Sequence, residues 1–228
     1  MPSTVNDRSF SRSPAITLSR QSANDKRQRI LDAAIEVFAR RGFYHAKVTE
    51  VAEEAGVAGG TIYLYFKNKD DLLISLFEDR MAAILDHFRE ELEPLTHAGD
   101  RLRRFIELHL EMVEQSPALA EVLTVELRQS AKFMREYKAR QFGEYLALLE
   151  SILDEGQRSG AFRPDLDPRI LKRVLFGALD EVSLFFVDQI RINQRPPYAL
   201  DRAAAQIWSV CSAGVTDPSR PAPPRSEP

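Results

Sequence analysis

Apolar residues recur at a spacing of three to four almost from end to end of this chain, as in helices that bury one stripe. The first stripe, Ile30, Leu31, Ala34, Ile35 and Phe38, predicts a helix from the capping pair Asn24–Asp25 to Arg41, stopped by Gly42. Val48, Val51, Ala52 and Ala55 predict a short helix over 49–55, with Thr49 as its N-cap and Gly56 supplying the left-handed turn that ends it. Ile62 and Phe66, one turn apart, anchor a second short helix over 60–66. Two short helices joined by a tight glycine turn are a helix-turn-helix, the arrangement that lays its second helix in the DNA major groove.

A longer run opens at Asn68 as cap, with Asp70 and Asp71 suiting the positive end of the helix. Leu72, Leu73, Leu76, Phe77, Ile84, Leu85, Phe88 and Leu92 carry it unbroken to Pro94, a rod of about 35 Å that reaches from the reading pair into the remainder of the chain. Helical periodicity then persists to Gly214, restarted at Ser116–Pro117 and Asp167–Pro168 by a cap followed by a first-turn proline. The expected fold class is all-α, with a three-helix head, a larger helical body and about nine helices in total. The helix over 167–192 is apolar nearly all round and has to be covered on every side. A second copy is the simplest cover, so a homodimer through the helices at 167–192 and 199–214 is expected, forming a four-helix bundle. The bounds read as 1–23 for a disordered tail, 24–68 for the head, 69–214 for the body and 215–228 for a proline-rich disordered tail.

The net charge of −3 looks unsuited to a DNA-binding protein until it is divided. Residues 1–69 hold 11 Lys and Arg against 7 Asp and Glu, and the remainder 20 against 27. A basic head on an acidic body fits nucleic-acid contact at one end. Arg8, Arg12 and Arg20 add nonspecific attraction for phosphates. No apolar run approaches a membrane span, and the lone Cys211 forms no internal disulfide, which suits a cytoplasmic location. His45, His87, His97 and His109 lack metal-site spacing, so neither metal nor cofactor is expected.

The second short helix carries the candidate chemistry. Thr61, Tyr63, Leu64 and Tyr65 point away from the Ile62–Phe66 anchor, offering hydroxyls to phosphates and apolar atoms to thymine methyls. Gly59 and Gly60 allow close backbone approach, and Lys67 and Lys69 add charge. Periodicity alone accommodates a purely structural hairpin equally well. The string Gly56-Val57-Ala58-Gly59-Gly60-Thr61-Ile62-Tyr63-Leu64-Tyr65-Phe66-Lys67-Asn68-Lys69-Asp70-Asp71-Leu72, however, resembles the DNA-binding signature of the TetR family of bacterial repressors. The resemblance runs from about Lys26 to Phe77 and implies DNA contacts from Thr49, Gly60, Thr61, Tyr63, Tyr65 and Lys69. The family usually has Ser where this chain has Ala58, so the usual cap of the reading helix is missing. A dimer would set two reading helices a DNA turn apart on a palindromic operator.

In the body, Arg128 with Lys132 and Arg135, and separately Arg101, Arg103 and Arg104, border apolar stripes. Such clusters suit a ligand with an anionic head and an apolar tail, although solvated helix surface looks the same. Asp180 and Glu181, set inside an apolar helix, are candidates to pair with one of these arginines. Leu73-Ile74-Ser75-Leu76-Phe77, Glu126 to Ser130 and Phe176-Gly177-Ala178-Leu179-Asp180-Glu181, together with the reading-helix string, resemble the TetR-family regulators of fatty-acid degradation. That resemblance implies a repressor released from its operator by long-chain acyl-CoA. The acyl chain would lie along Phe105, His109, Leu123, Phe142, Tyr145, Leu149 and Phe176, with Arg128 and its neighbours on the CoA phosphates. One alternative keeps the fold and senses hydrophobic cations through Asp180 and Glu181, as a regulator of drug efflux. The other is an acyl-CoA-binding enzyme or carrier, but no Gly-x-Ser-x-Gly elbow, phosphate-cradling glycine loop or catalytic Cys/His pairing occurs, and no enzymatic activity is expected.

Overall fold

The computed structural model describes residues 14–126 and 140–216, with side chains from Asn24 onward. Helices α1 (Pro14–Arg41) and α2 (Val48–Glu54), a 3₁₀ segment (Gly59–Leu64) and the first turns of α3 (Lys69–Leu92) form the head. The body holds the rest of α3, α4 (Ala98–Gln115), α5 (Pro117–Glu121), a π-helical turn (Val122–Glu126), α6 (Arg140–Ser159), α7 (Pro168–Asn193) and α8 (Leu200–Val215). The described residues contain no strand, only the isolated bridge between Phe162 and Thr216.

Local sequence accounts for most boundaries. Asn68 Oδ1 accepts from the Asp71 amide at 2.9 Å and Asp71 Oδ2 from the Lys67 amide at 2.8 Å, a reciprocal cap for α3. Gly56, at φ +63°, ends α2, and the Val57 amide folds back onto the Ala52 carbonyl at 2.9 Å. Asp167 caps α7 through the Arg169 amide, with Pro168 behind it in the first turn.

Two starts differ from expectation. Helix α1 begins at Pro14, ten residues ahead of the expected cap, so residues 14–23 belong to a helix and not to a disordered tail. No proline or glycine interrupts the chain between Pro14 and Arg41, and Asn24 and Asp25 ride on the exposed side of a helix already under way. Helix α2 begins at Val48, its cap position taken by Lys47, whose amide donates to Glu50 at 2.8 Å; Thr49 is therefore exposed in the first turn. The 1–13 and 217–228 segments of the expected tails lie outside the described residues.

Head and body share one apolar core. Arg27 reaches Asp79 of α3 at 3.0 Å while its guanidinium lies 5.7 Å from the centre of the Phe66 ring. Gln28 donates to the same carboxylate at 3.0 Å, and Arg80 pairs with Asp32. Further in, Phe88 of α3, Phe105 of α4 and Tyr145 of α6 pack with ring centres 5.1–5.6 Å apart. No helix among the described residues is long and apolar enough to cross a membrane.

Candidate functional site

At the reading segment, Ile62 and Phe66 are buried at 1% and 2% exposure and fix it to the core. The flanking residues turn outward, with Tyr63 60% and Leu64 81% exposed, Gly60 open and Thr61 and Tyr65 half-buried. With Ala58 unable to cap by its side chain, the backbone tightens to 3₁₀ geometry, the Thr61 amide donating to the Ala58 carbonyl at 2.8 Å. Six residues exposing a tyrosine and a leucine in this way have no intramolecular reason to do so.

Lys69 stands apart from the other expected DNA contacts. Its Nζ donates to the carbonyls of Phe43 (2.6 Å), Tyr44 (3.0 Å) and Ala46 (3.1 Å) and lies 4.7 Å from the centre of the Phe43 ring. Burial lowers its pKa, an effect opposed by Asp70. Here the ammonium fastens the α1–α2 turn to the start of α3.

Inside the body lies a cavity of about 70 Å³. Phe77, Met81 and Ile84 of α3 form one wall, and Ala120, Leu123 and Thr124 of α5 and the π turn another. Of the expected ligand residues, His109, Leu123, Phe142, Tyr145 and Phe176 all line it. Phe105 and Leu149 do not; fully buried, they pack behind that wall in the core. Arg128, with Lys132 and Arg135, lies outside the described residues. The other basic cluster is committed to acids: Arg101 to Glu155, Arg103 to Glu107 at 2.8 Å, and Arg104 to Glu91 and Glu111 at 2.8 and 2.7 Å.

His109, on the cavity lining, has both ring nitrogens paired, with Tyr145 and with Ser183 behind it. Ser183 Oγ donates to the Leu179 carbonyl at 2.8 Å, so towards His109 Nε2, 3.2 Å away, it can only accept. His109 then donates from Nε2–H to Ser183, and its Nδ1 accepts a hydrogen bond from the Tyr145 hydroxyl at 2.6 Å. Burial lowers the His109 pKa to about 4 and raises that of Tyr145 well above its usual value. Among the described lining residues Asp180 supplies the carboxylate, whereas Glu181 is exposed. The described residues hold no group of His, Cys, Asp and Glu fit to bind a metal. The sequence pattern missed Phe77, Met81, Ile84, Met112, Val113, Ala120 and Thr124 as lining residues.

This combination, a helix-turn-helix with an outward-facing reading segment and a helical body enclosing a lined cavity, defines a ligand-responsive DNA-binding regulator. Family comparison agrees: residues 30–76 match the bacterial regulatory proteins of the tetR family, and residues 77–208 match the YsiA-like protein, C-terminal region. The chain belongs to the TetR family. It is 40% identical over 162 residues to the fatty acid metabolism regulator protein of Bacillus subtilis, covering 71% of this chain and 84% of that one. Similar solved structures include B. subtilis FadR in complex with stearoyl-CoA, with a TM-score of 0.75 at 35% identity over 82% of this chain and 98% of that one. Bacillus halodurans FadR, a fatty acid degradation regulator, gives a TM-score of 0.76 at 33% identity over 90% of this chain and 97% of that one.

Proposed function

We propose that this protein represses fatty-acid degradation genes and leaves its operator when a long-chain acyl-CoA enters the body cavity. The observation that carries the reading is that a single helix serves both ends. The Asn68 cap of α3 lies four residues past the end of the reading segment, and about two to four turns further on Phe77, Met81 and Ile84 wall the cavity. A rod of 24 residues, about 36 Å long, moves as a unit, so a ligand that shifts its middle shifts the head. Thr49, Gly60, Thr61, Tyr63 and Tyr65 would contact DNA, and Lys69 would order the turn beside them. The energetics are undemanding, since a tenfold loss of operator affinity needs about 1.4 kcal/mol of differential binding, and apolar burial supplies about 0.8 kcal/mol per methylene. Working as a cytoplasmic homodimer through α7 and α8, it would present two heads to a palindromic site.

Asp180 gives one rival a foothold, because a carboxylate in an aromatic-lined cavity also suits a hydrophobic cation. Operator binding measured with stearoyl-CoA, free stearate and a cationic dye separates the two. Release by stearoyl-CoA is expected; release by the dye alone would replace this reading with the efflux-type one. Tyr63→Ala should abolish operator binding with the helical content unchanged, and undiminished binding would refute the head assignment.

A further inference from the structure

The cavity and the head meet at a second point, away from α3. After α5 the chain forms one π-helical turn, a geometry rare in proteins and often found at functional sites. Leu123 and Thr124 of that turn face the cavity. Glu126, which ends it, is 4% exposed, and its Oε2 accepts the backbone N–H of Phe43 in the head. Lys69 Nζ, from the first residue of α3, holds the carbonyl of the same residue at 2.6 Å. Both polar groups of Phe43 are thereby held, one by the π turn and one by the base of the rod. The Phe43 ring meets Phe38 edge-on at 5.5 Å, and Gly42, at φ +75°, sets the chain direction there.

We propose that Glu126 is the latch through which cavity occupancy reaches the DNA-reading head: a ligand displaces the π turn, and the Glu126–Phe43 bond yields. Size drives the displacement. The space of about 70 Å³ is well under the roughly 150 Å³ of a cavity that accepts benzene, so a long acyl chain has to push its walls apart. The α3 wall belongs to a helix of 24 residues, whereas Leu123 and Thr124 stand on a π turn of five, a rarer and less regular geometry than the α-helix. A hydrogen bond tolerates little of this, being effectively lost once donor and acceptor separate beyond about 3.5 Å. With the latch open, the α1–α2 turn is held by Lys69 without its second fixed point, and α2 no longer has one position relative to the reading segment.

This inference rests on the effector reading above, and its test keeps the two apart. Operator affinity with and without saturating stearoyl-CoA is measured for the full chain, Glu126→Ala and Glu126→Gln, together with amide hydrogen exchange of the peptide containing Phe43. In the wild type, stearoyl-CoA should lower operator affinity about tenfold or more and speed exchange at Phe43. Glu126→Ala should bind operator more weakly without ligand and change by no more than about twofold on adding it. Glu126→Gln, which keeps an oxygen acceptor, should recover much of the response. A full wild-type response in Glu126→Ala would overturn the latch. So would operator release by the wild type with exchange at Phe43 unchanged, a result that stands even if the alanine variant fails to fold. A wild type indifferent to stearoyl-CoA would instead defeat the effector reading itself.

Discussion

A buried histidine held between a tyrosine and a serine sets a pH dependence that can be assigned in advance. His109 is held neutral between Tyr145 and Ser183, with burial lowering its pKa from 6.5 to about 4. Between those values the unfolded chain takes up a proton that the folded chain refuses. The histidine's contribution to stability is therefore complete above pH 6.5 and is lost on acidification towards pH 4, at up to about 1.4 kcal/mol per unit. His109→Gln should flatten this part of the profile, so melting temperature should fall less between about pH 7.5 and about pH 5 in the variant than in the wild type. Equal falls would mean that other groups carry the acid sensitivity. A second residue-scale constraint is steric. A Cβ built on Gly156 of α6 would lie 1.9 Å from Cδ2 of Phe162, whose amide is bonded to the Gly156 carbonyl at 2.9 Å. Gly156→Ala should cost about 1–3 kcal/mol by overpacking, read as a drop in melting temperature of roughly 2–4 °C per kcal/mol.

At the scale of elements, Lys69 separates a direct DNA contact from a positioning role. Lys69→Met keeps an unbranched apolar side chain of similar length and loses the three carbonyl bonds together with the ammonium over the Phe43 ring. Operator affinity should fall, yet the slope of log affinity against log salt should stay the same, because no phosphate contact has been removed. The exposed Lys67, changed to Met, should lower that slope by about one if it reaches a phosphate. A reduced slope in Lys69→Met would restore it to the interface. The same residue shows what a sequence makes legible. The Asn68 cap, the Gly56 stop and the Asp167–Pro168 start were readable because each depends on neighbours within a few positions. The partners of Lys69 are carbonyls more than twenty positions away, and carbonyls leave no trace in residue type. Phe77 and Ile84 were legible as part of an apolar stripe, which announces contact with the interior and not whether that interior is core or cavity. Phe105 and Leu149 carry the same kind of apolar signal and lie in the core beside the cavity rather than on its lining. The π turn had no signal at all, since Val122–Glu126 carries the composition of an ordinary helical turn.

For the whole molecule, the decisive feature is an apolar face that the protomer leaves uncovered. On α7, Ile170, Val174 and Ile192 are 61–64% exposed and Phe185 is 45% exposed, while Val210 of α8 is 74% exposed. At 100° per residue, the four α7 positions fall within about 60° of one another around the helix axis. They form one stripe rather than scattered surface residues, and a stripe of this kind marks an interaction surface. If a second copy covers it, the two α7 stripes face each other about a two-fold axis, so each substitution enters the interface twice. Val174→Glu combined with Ile192→Glu would place four carboxylates there, while each substitution costs the exposed protomer surface only about 0.5 kcal/mol or less. The variant should keep its helical content and sediment as a monomer at micromolar concentration. Its operator affinity should also fall by about two to four orders of magnitude, because two heads joined at a fixed spacing bind as one and separated heads do not. A variant that stays dimeric would place the interface elsewhere, and a monomeric variant that still binds the full operator at wild-type affinity would show that each head reads its half-site independently.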